Sequence, residues 1–114
     1  MAKTVVLATP EGNVRAVLPA SERLDLRKVR SALGLTKPHV GLLGEKELSQ
    51  SYPEFELGAV SPFGGRADRV LVDYRVVEHE QVVLEAGTHD ASLRLRTSDL
   101  ISLTGARVLD LCQD

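Results

Sequence analysis

A single lysine stands at the start of the first apolar stretch of this chain. Lys3 precedes the strand-like residues 4–8 (TVVLA), and in an extended strand its side chain shares a face with Val5 and Leu7. Two interpretations are open. The ammonium group is a surface charge whose stem lies along apolar neighbours, or it is a cation held at the mouth of a pocket, where it would act on a phosphate or a carbonyl oxygen.

The second candidate is residues 58–65 (GAVSPFGG), here called the glycine loop. Its three glycines and one proline indicate an ordered loop rather than the interior of a helix or strand. Gly58 and Gly64 permit backbone conformations that other residues resist. Successive N–H groups in such a loop can converge on a carbonyl oxygen or a phosphate. The alternative is an ordinary structural turn.

A group of cationic side chains lies between these two candidates. Arg23, Arg27 and Arg30 are spaced i, i+4, i+7, and Lys28 lies beside them. This basic stripe is either the solvated face of an amphipathic helix or a set of contacts to RNA phosphates.

Other kinds of catalytic site lack the residues that they need. The sequence contains no phosphate-loop signature, no dinucleotide fingerprint and no nucleophile elbow. His39, His79 and His89 lie far apart, which argues against a zinc site. Cys112 lies near the end of a terminal strand with nothing nearby to lower its pKa, so we expect a buried and inert thiol. We therefore expect neither a metal nor a cofactor.

The elements that position these residues follow from periodicity and turn formers. Residues 4–8 and 14–18 are apolar, β-branched runs separated by TPEGN, which predicts a hairpin with a loop longer than two residues. Apolar residues at helical spacing predict a helix over residues 25–33. Asp25 is its expected N-cap, and Gly34 follows its C-terminal end.

The rest of the chain alternates short strands with short helices. We predict a helix over 45–51 that ends before Pro53, and a helix over 97–103 capped by Thr97 or Ser98. Strands are predicted over 39–42, 70–73, 82–85, 92–96 and 108–111. This order predicts an α/β (mixed α+β) domain built round a curved sheet.

Length and composition limit the classes that remain. The 114 residues suit a single domain, and 43% apolar with 26% charged residues is ordinary globular composition. The net charge of −2 and the lack of tryptophan argue against a DNA-coating protein and against a binder that stacks many bases. A start without a signal peptide and a single cysteine favour a reducing, cytoplasmic location.

Several segments together resemble the YbaK-like family of aminoacyl-tRNA deacylases, the free-standing relatives of the editing domain of bacterial prolyl-tRNA synthetases. The segments are YPEFELGAVSPFGG, RVLVDYRV and VVLEAGTHDASLRLRTSDL, with AKTVVL and SERLDLRKVRSALG ahead of them. The resemblance implies one domain over residues 1–114, with a barrel-like mixed sheet and helices packed outside. It also implies metal-independent hydrolysis of the ester of a mischarged tRNA, with tRNA-Pro as the expected target.

The same resemblance implies roles for individual residues. The family's lysine lies in a Lys-Thr pair that matches Lys3 and Thr4, and its Gly-x-x-x-Pro loop matches residues 58–62. The segment EAGTHDASLRL resembles a second pocket wall, with Gly87 at its turn and Ser92 where some members carry aspartate. The expected catalytic residues are Lys3 and Gly58, the expected substrate-binding residues are Thr4, Ala59, Val60, Ser61, Pro62, Phe63, Gly64, Gly87 and Ser92, and the expected tRNA-binding residues are Arg23, Arg27, Lys28 and Arg30.

Family members usually carry a strand and a helix ahead of the lysine strand, whereas this sequence starts almost at Lys3. We therefore expect apolar surface beside the lysine strand that a second subunit covers in a homodimer. Expected partners are the acceptor end of mischarged tRNA and prolyl-tRNA synthetase. The alternative function is a catalytically inactive module of the same fold that binds aminoacyl or nucleotide-like ligands, or a synthetase.

Overall fold

The computed structural model describes residues 1–36 and 39–114. None of the described helices is long and apolar enough to cross a membrane. Along the described chain the elements are β1 (Ala2–Thr9), β2 (Gly12–Pro19), α1 (Leu26–Leu33), β3 (Gly41–Leu42), α2 (Glu45–Ser51), β4 (Arg69–Asp73), α3 (Tyr74–Val77), β5 (Gln81–Glu85), β6 (Ser92–Arg96), α4 (Thr97–Thr104) and β7 (Arg107–Leu109).

The first two strands form the predicted hairpin, but its loop is shorter than predicted. The antiparallel register continues to the pair Thr9 and Gly12, which leaves only Pro10 and Glu11 in the turn. The Thr9 hydroxyl closes the turn by donating to the Gly12 carbonyl at 2.6 Å. Gly12 adopts a φ of +117°, which explains the need for glycine there. Turn-forming residues at both ends of TPEGN extend the ladder instead of ending it.

The main sheet has five strands in the order β3-β1-β2-β4-β7, and β5 and β6 form a separate two-stranded sheet. The predicted barrel-like sheet is therefore wrong, because the described strands form an open sheet. The β5–β6 hairpin packs over one face through Val82 and Leu84, which join Ala2 and Val17 in an apolar cluster. Side-chain packing thus takes the place of the backbone pairing that would close a barrel.

The two faces of the main sheet have different coverings. On the face here called the helix face, Leu7, Val14 and Ala16 pack against Val29 of α1. The opposite face, here called the hairpin face, is covered by the β5–β6 hairpin and by the segment that contains the glycine loop. Full burial of a valine or leucine side chain contributes about 1.5–3 kcal/mol, so these clusters fix which residues of β1 point to which face.

The predicted helix over 25–33 is confirmed together with both of its ends. Asp25 accepts the Arg27 N–H at 2.9 Å, and Gly34 has the left-handed φ of +68° that ends the helix. The predicted helix over 45–51 is also confirmed. The strand predicted over 39–42 is confined to Gly41–Leu42.

The C-terminal half departs from the sequence predictions at three places. The one-turn helix α3 was not predicted, since four residues are too few to show helical periodicity. Neither Thr97 nor Ser98 caps α4, because Thr97 lies inside the first turn and its hydroxyl donates to the His79 carbonyl at 2.8 Å. The last strand ends at Leu109, and Cys112 instead forms a single antiparallel bridge with Leu24.

Candidate functional site

Lys3 lies on the helix face of β1 and lines an open groove. This lysine groove has a volume of about 540 Å³ and an apolar floor that includes Val5, Leu26 and Leu42. It is lined by Lys3, Val5, Arg23, Leu24, Asp25, Leu26, Arg27, Leu42 and Gln113. The structure thus brings Lys3 together with two members of the basic stripe. Three cations above an apolar floor are suited to a ligand that has both an anionic and an apolar part.

The charges of the lysine groove are only partly neutralised. The Asp25 carboxylate is buried, and its hydrogen bonds with the Arg27 side chain lower the pKa of this carboxyl below its ordinary value. Arg27 nevertheless keeps 81% of its side chain exposed. Within residues 1–36 and 39–114, Lys3 and Arg23 form no ion pair. The groove therefore presents a net positive charge to a ligand.

Lys28 differs from the other members of the basic stripe. Its ammonium group lies 2.9 Å from carboxylate oxygens of both Asp110 and Asp114, and it donates to the Cys112 carbonyl at 2.7 Å. These bonds raise the pKa of Lys28 and lower that of Asp110. Lys28 thus fastens the C-terminal segment to α1. Arg30 is half-buried in the last turn of α1 and does not line the groove.

The glycine loop packs on the hairpin face. Val60 forms an apolar cluster with Val6 of β1 and with Tyr52. The left-handed φ values of Gly58 (+80°) and Gly64 (+74°) show why glycine is needed at both positions. The structure therefore confirms that the segment is an ordered loop.

The backbone donors of the glycine loop are unequally used. The Ala59 N–H donates to the Glu56 carbonyl at 3.0 Å, and the Phe63 N–H donates to the Ser61 hydroxyl at 3.1 Å. In the described part of the chain, the N–H groups of Val60 and Ser61 have no partner, although both residues are buried. Unpaired buried N–H groups are rare because they cost free energy. Among residues 59–61 and 63 of the glycine loop, these two donors are therefore the ones left without an acceptor.

The segment that contains Gly87 and His89 lies beside the glycine loop and the residues just before it. The Gly87 carbonyl accepts the Glu56 N–H at 2.7 Å, and His89 Nε2 lies within hydrogen-bonding distance of the Leu57 carbonyl. A Cβ atom on Gly58 would lie 3.3 Å from His89 Cε1. His89 was not selected from the sequence, because only the fold brings it to the loop. Ser92 is exposed at the first position of β6.

Sequence analysis also missed a buried polar cluster beneath the glycine loop. Arg15 is 1% exposed, and it donates to a carboxylate oxygen of Asp68 at 3.0 Å and to the Ser61 carbonyl at 2.8 Å. The Tyr52 hydroxyl donates to Asp68, and burial together with this bond raises the pKa of Tyr52. A cation with an apolar residue on either side in a strand was the available signal, but it is equally typical of a strand with one solvated face.

Lys3 and the glycine loop do not meet directly, because they lie on opposite faces of β1. They flank the same edge of that strand, however. β3 pairs only with Leu7 and Ala8 of β1, and the Leu43 N–H donates to the Val6 carbonyl at 3.0 Å. No described strand pairs with this edge along residues 2–5, where Thr4 lies on the hairpin face by alternation. A ligand that crosses the edge would meet Lys3 on one side and the loop on the other.

Among the described residues, neither Cys112 nor a histidine lines the lysine groove. Burial, followed by a hydrogen bond with Asp73, raises the pKa of the Cys112 thiol to about 11. In the described residues, no three His, Cys, Asp or Glu side chains are grouped so that they could hold a metal ion.

Comparison with protein families gives a match to the aminoacyl-tRNA editing domain over residues 1–103. Among solved structures, the chain is similar to a protein proposed to be a trans-editing enzyme for prolyl tRNA synthetase, with 25% identity, a TM-score of 0.89, and coverage of 99% of this chain and 70% of that one. The hypothetical protein APE2540 has a similar fold, with 23% identity, a TM-score of 0.88 and 99% and 74% coverage. A protein from Marinobacter aquaeolei VT8, described as acting in signal transduction, matches with 28% identity and a TM-score of 0.76 over 99% of this chain and 25% of its own length.

Proposed function

Because this chain belongs to the aminoacyl-tRNA editing domain family, we propose that it is a deacylase that acts in trans on mischarged tRNA. The observation that carries the proposal is the open edge of β1, which has the lysine groove on one side and the unpaired N–H groups of the glycine loop on the other. In this arrangement the acceptor end of the tRNA lies in the groove and its ester bond lies across the edge. Lys3, Arg23 and Arg27 then face the terminal phosphates.

Hydrolysis at this edge requires little more than positioning, since an aminoacyl ester is intrinsically labile. The oxygen of a water molecule attacks the ester carbonyl, the bond to the ribose oxygen breaks, and the proton lost by the water ends on the ribose hydroxyl. The developing oxyanion accepts hydrogen bonds from the Val60 and Ser61 N–H groups. A donor of this kind typically lowers the barrier by about 3 kcal/mol. Gly58 supplies the left-handed φ of +80° that the loop adopts ahead of these donors.

Lys3 has two possible roles within this proposal. Its ammonium group neutralises the terminal phosphate, or it orients the ester carbonyl at the edge. Its position in the groove with Arg23 and Arg27 supports the phosphate role. Because Lys3 is half-buried, its ammonium group attracts an anion more strongly than it would in open water.

We further propose tRNA-Pro as the target and prolyl-tRNA synthetase as a partner, in the cytoplasm. The support is the likeness to the protein proposed to be a trans-editing enzyme for prolyl tRNA synthetase. Thr4, Phe63, Gly64, Gly87 and Ser92 complete the proposed substrate-binding set. We also propose that residues 1–114 form one domain and that hydrolysis needs no metal; the match over residues 1–103 supports the editing domain.

We also propose a homodimer that leaves the lysine groove free. Met1, which precedes β1 and does not line the groove, is 65% exposed, and exposed apolar side chains favour association. Light scattering should give twice the monomer mass of 12.4 kDa. A monomer at all concentrations tested would refute the dimer but leave the deacylase proposal intact.

The second candidate function is a binding module without hydrolysis. The observation that favours it is the separation of Lys3 and the glycine loop on opposite faces of β1. A groove and a loop that never act on the same ligand would bind the acceptor end and leave the ester intact.

Release of amino acid from a panel of mischarged and correctly charged tRNAs separates the two candidates. The deacylase proposal predicts release from one or more mischarged tRNAs, above the spontaneous rate. Tight binding of the same tRNAs without accelerated release would support the binding module. If the protein neither binds any of these tRNAs nor releases amino acid from them, both candidate functions are refuted.

A further inference from the structure

The centre of β2 carries a fully buried cation. Arg15 lies opposite Val6 in the hairpin and is 1% exposed, with its side chain on the hairpin face beneath the glycine loop. Burial of a guanidinium group is costly unless hydrogen bonds and a counter-charge compensate it. Its surroundings therefore show what holds it in place.

The guanidinium group of Arg15 is bonded almost entirely to one segment of the chain. It donates to the carbonyls of Ser61 and Gly64 at 2.8 Å and to the carbonyl of Arg66 at 3.1 Å. Its Nε donates to Asp68 at 3.0 Å. These acceptors span the end of the glycine loop and the residues that follow it. One side chain thus holds three carbonyl groups of this segment.

A rigid support fixes Arg15 in turn. Its guanidinium carbon lies 4.9 Å from the centre of the Tyr52 ring and 5.8 Å from that of Phe55. The Tyr52 hydroxyl donates to the same Asp68 oxygen that Arg15 contacts, and the Asn13 amide donates to that hydroxyl at 3.3 Å. The cluster therefore leaves Arg15 little freedom to change its rotamer.

The bond to Ser61 bears directly on the unpaired donors of the loop. Because the peptide unit is planar, fixing the Ser61 carbonyl fixes the whole plane between Ser61 and Pro62. The Pro62 ring fixes the next φ angle, and the Ser61 hydroxyl holds the Phe63 N–H. The Val60 and Ser61 N–H groups lie immediately before this fixed plane, so their directions depend on it.

We propose that Arg15 is a positioning residue that clamps the glycine loop and so aims the Val60 and Ser61 N–H groups at the ester oxygen. The inference rests on the proposed function for its catalytic consequence, whereas the clamp itself is a property of the loop. Removal of the clamp loosens the loop without removing any group that touches the substrate. The expected catalytic loss is therefore in kcat, with little change in KM.

The test compares Arg15→Met with wild type by amide hydrogen exchange and by steady-state deacylation. Methionine fills a similar volume without the carbonyl bonds. We expect faster exchange in residues 59–66, unchanged exchange in the β1–β2 ladder, and a fall in kcat on the order of a hundredfold, the loss typical of a displacement of about 1 Å. Arg66→Met is the matched control, because Arg66 also lies near Asp68, at 3.7 Å, and near the Tyr52 ring, but its half-exposed side chain donates to none of these carbonyls.

Two more variants separate the clamp from charge compensation. Arg15→Met combined with Asp68→Asn also removes the buried carboxylate charge that Arg15→Met leaves without a partner. The double variant should regain stability, but its loop should still exchange fast and its kcat should stay low. Arg15→Lys keeps a cation near Asp68 but lacks the planar fork that reaches three carbonyls, so it should fold and still show fast loop exchange.

Unchanged exchange in residues 59–66 of the folded variants would overturn the clamp, as would full recovery of kcat in the double variant. If the wild-type protein releases no amino acid from any tRNA, the proposed function fails, and the exchange measurement still decides whether Arg15 holds the loop.

Discussion

The Lys3 side chain projects from the helix face of strand β1 into the lysine groove, whereas Val60 of the glycine loop packs against the opposite, hairpin face. The two segments that the family resemblance placed in one pocket are therefore separated by the thickness of a sheet. Between them lies the strand edge along residues 2–5, with which no described strand pairs. The proposed site of the ester bond is therefore the edge of β1 and not a closed cavity.

Gly58→Ala tests whether deacylation depends on the conformation of the glycine loop. The φ of +80° makes any side chain unfavourable by about 1–2 kcal/mol, and the new Cβ would lie 3.3 Å from His89. We expect a modest loss of stability and a larger loss of deacylation.

The matched control for that variant is Gly105→Ala. Gly105 has a similar φ of +66°, but nothing lies within 4 Å of a Cβ placed there. It should lower the melting temperature to a similar degree and leave the deacylation rate unchanged. Equal activity in the two variants would mean that the glycine loop is scaffolding.

The basic stripe should divide into two functional parts. Replacement of Arg23 and Arg27 by Gln should weaken tRNA binding and flatten the slope of log affinity against log salt by about 1–2, since each lost phosphate contact removes slightly less than one unit. Lys28→Gln should instead lower thermal stability, because Lys28 is bonded to Asp110 and Asp114. Filter binding between low and moderate salt provides the slope, and an unchanged slope in the double variant would assign both arginines to the solvated face.

Cys112 should react slowly with thiol reagents in the folded protein. Burial raises its pKa to about 11, so very little thiolate is present near neutral pH, and access is blocked as well. Disulfide-exchange reagents at pH 8 should modify it quickly only after denaturant is added. Fast modification of the native protein would show that the C-terminal segment opens readily.

The cap of α1 should make stability depend on pH. The Arg27 side chain holds the pKa of Asp25 below its ordinary value of 3.8, so its stabilising effect is present above that value and is lost as the pH falls through the lowered pKa. Asp25→Ala should lower the melting temperature at pH 7, and the difference should shrink in strong acid. Asp99→Ala, at an exposed position in the first turn of α4 without a capping role, is the control.

Sequence patterns predicted the local elements well because each depends on neighbouring residues. The helix over 25–33 follows from its apolar spacing, Asp25 and Gly34, and the face that Lys3 shares with Val5 follows from simple alternation. The packing of the β5–β6 hairpin over the sheet depends on contacts between distant segments, which a single sequence does not reveal.

The candidate site was predictable in its parts but not in its arrangement. Lys3 and the glycine loop stand out by residue type, yet the face on which the loop packs is set by Val60 against Val6. Arg15 was missed because an arginine between apolar residues in a strand is usually exposed. Only the fold shows that its partners are carbonyls more than forty positions away.

The most direct test of the account is the single-turnover rate of deacylation of a mischarged tRNA by wild type, Lys3→Ala and Lys46→Ala. Lys46 is an exposed lysine on α2 outside the lysine groove, so it controls for the loss of one positive charge. We expect Lys3→Ala to fold normally and to release amino acid no faster than the spontaneous reaction, while Lys46→Ala matches wild type. A folded Lys3→Ala protein that retains the wild-type rate would contradict the account.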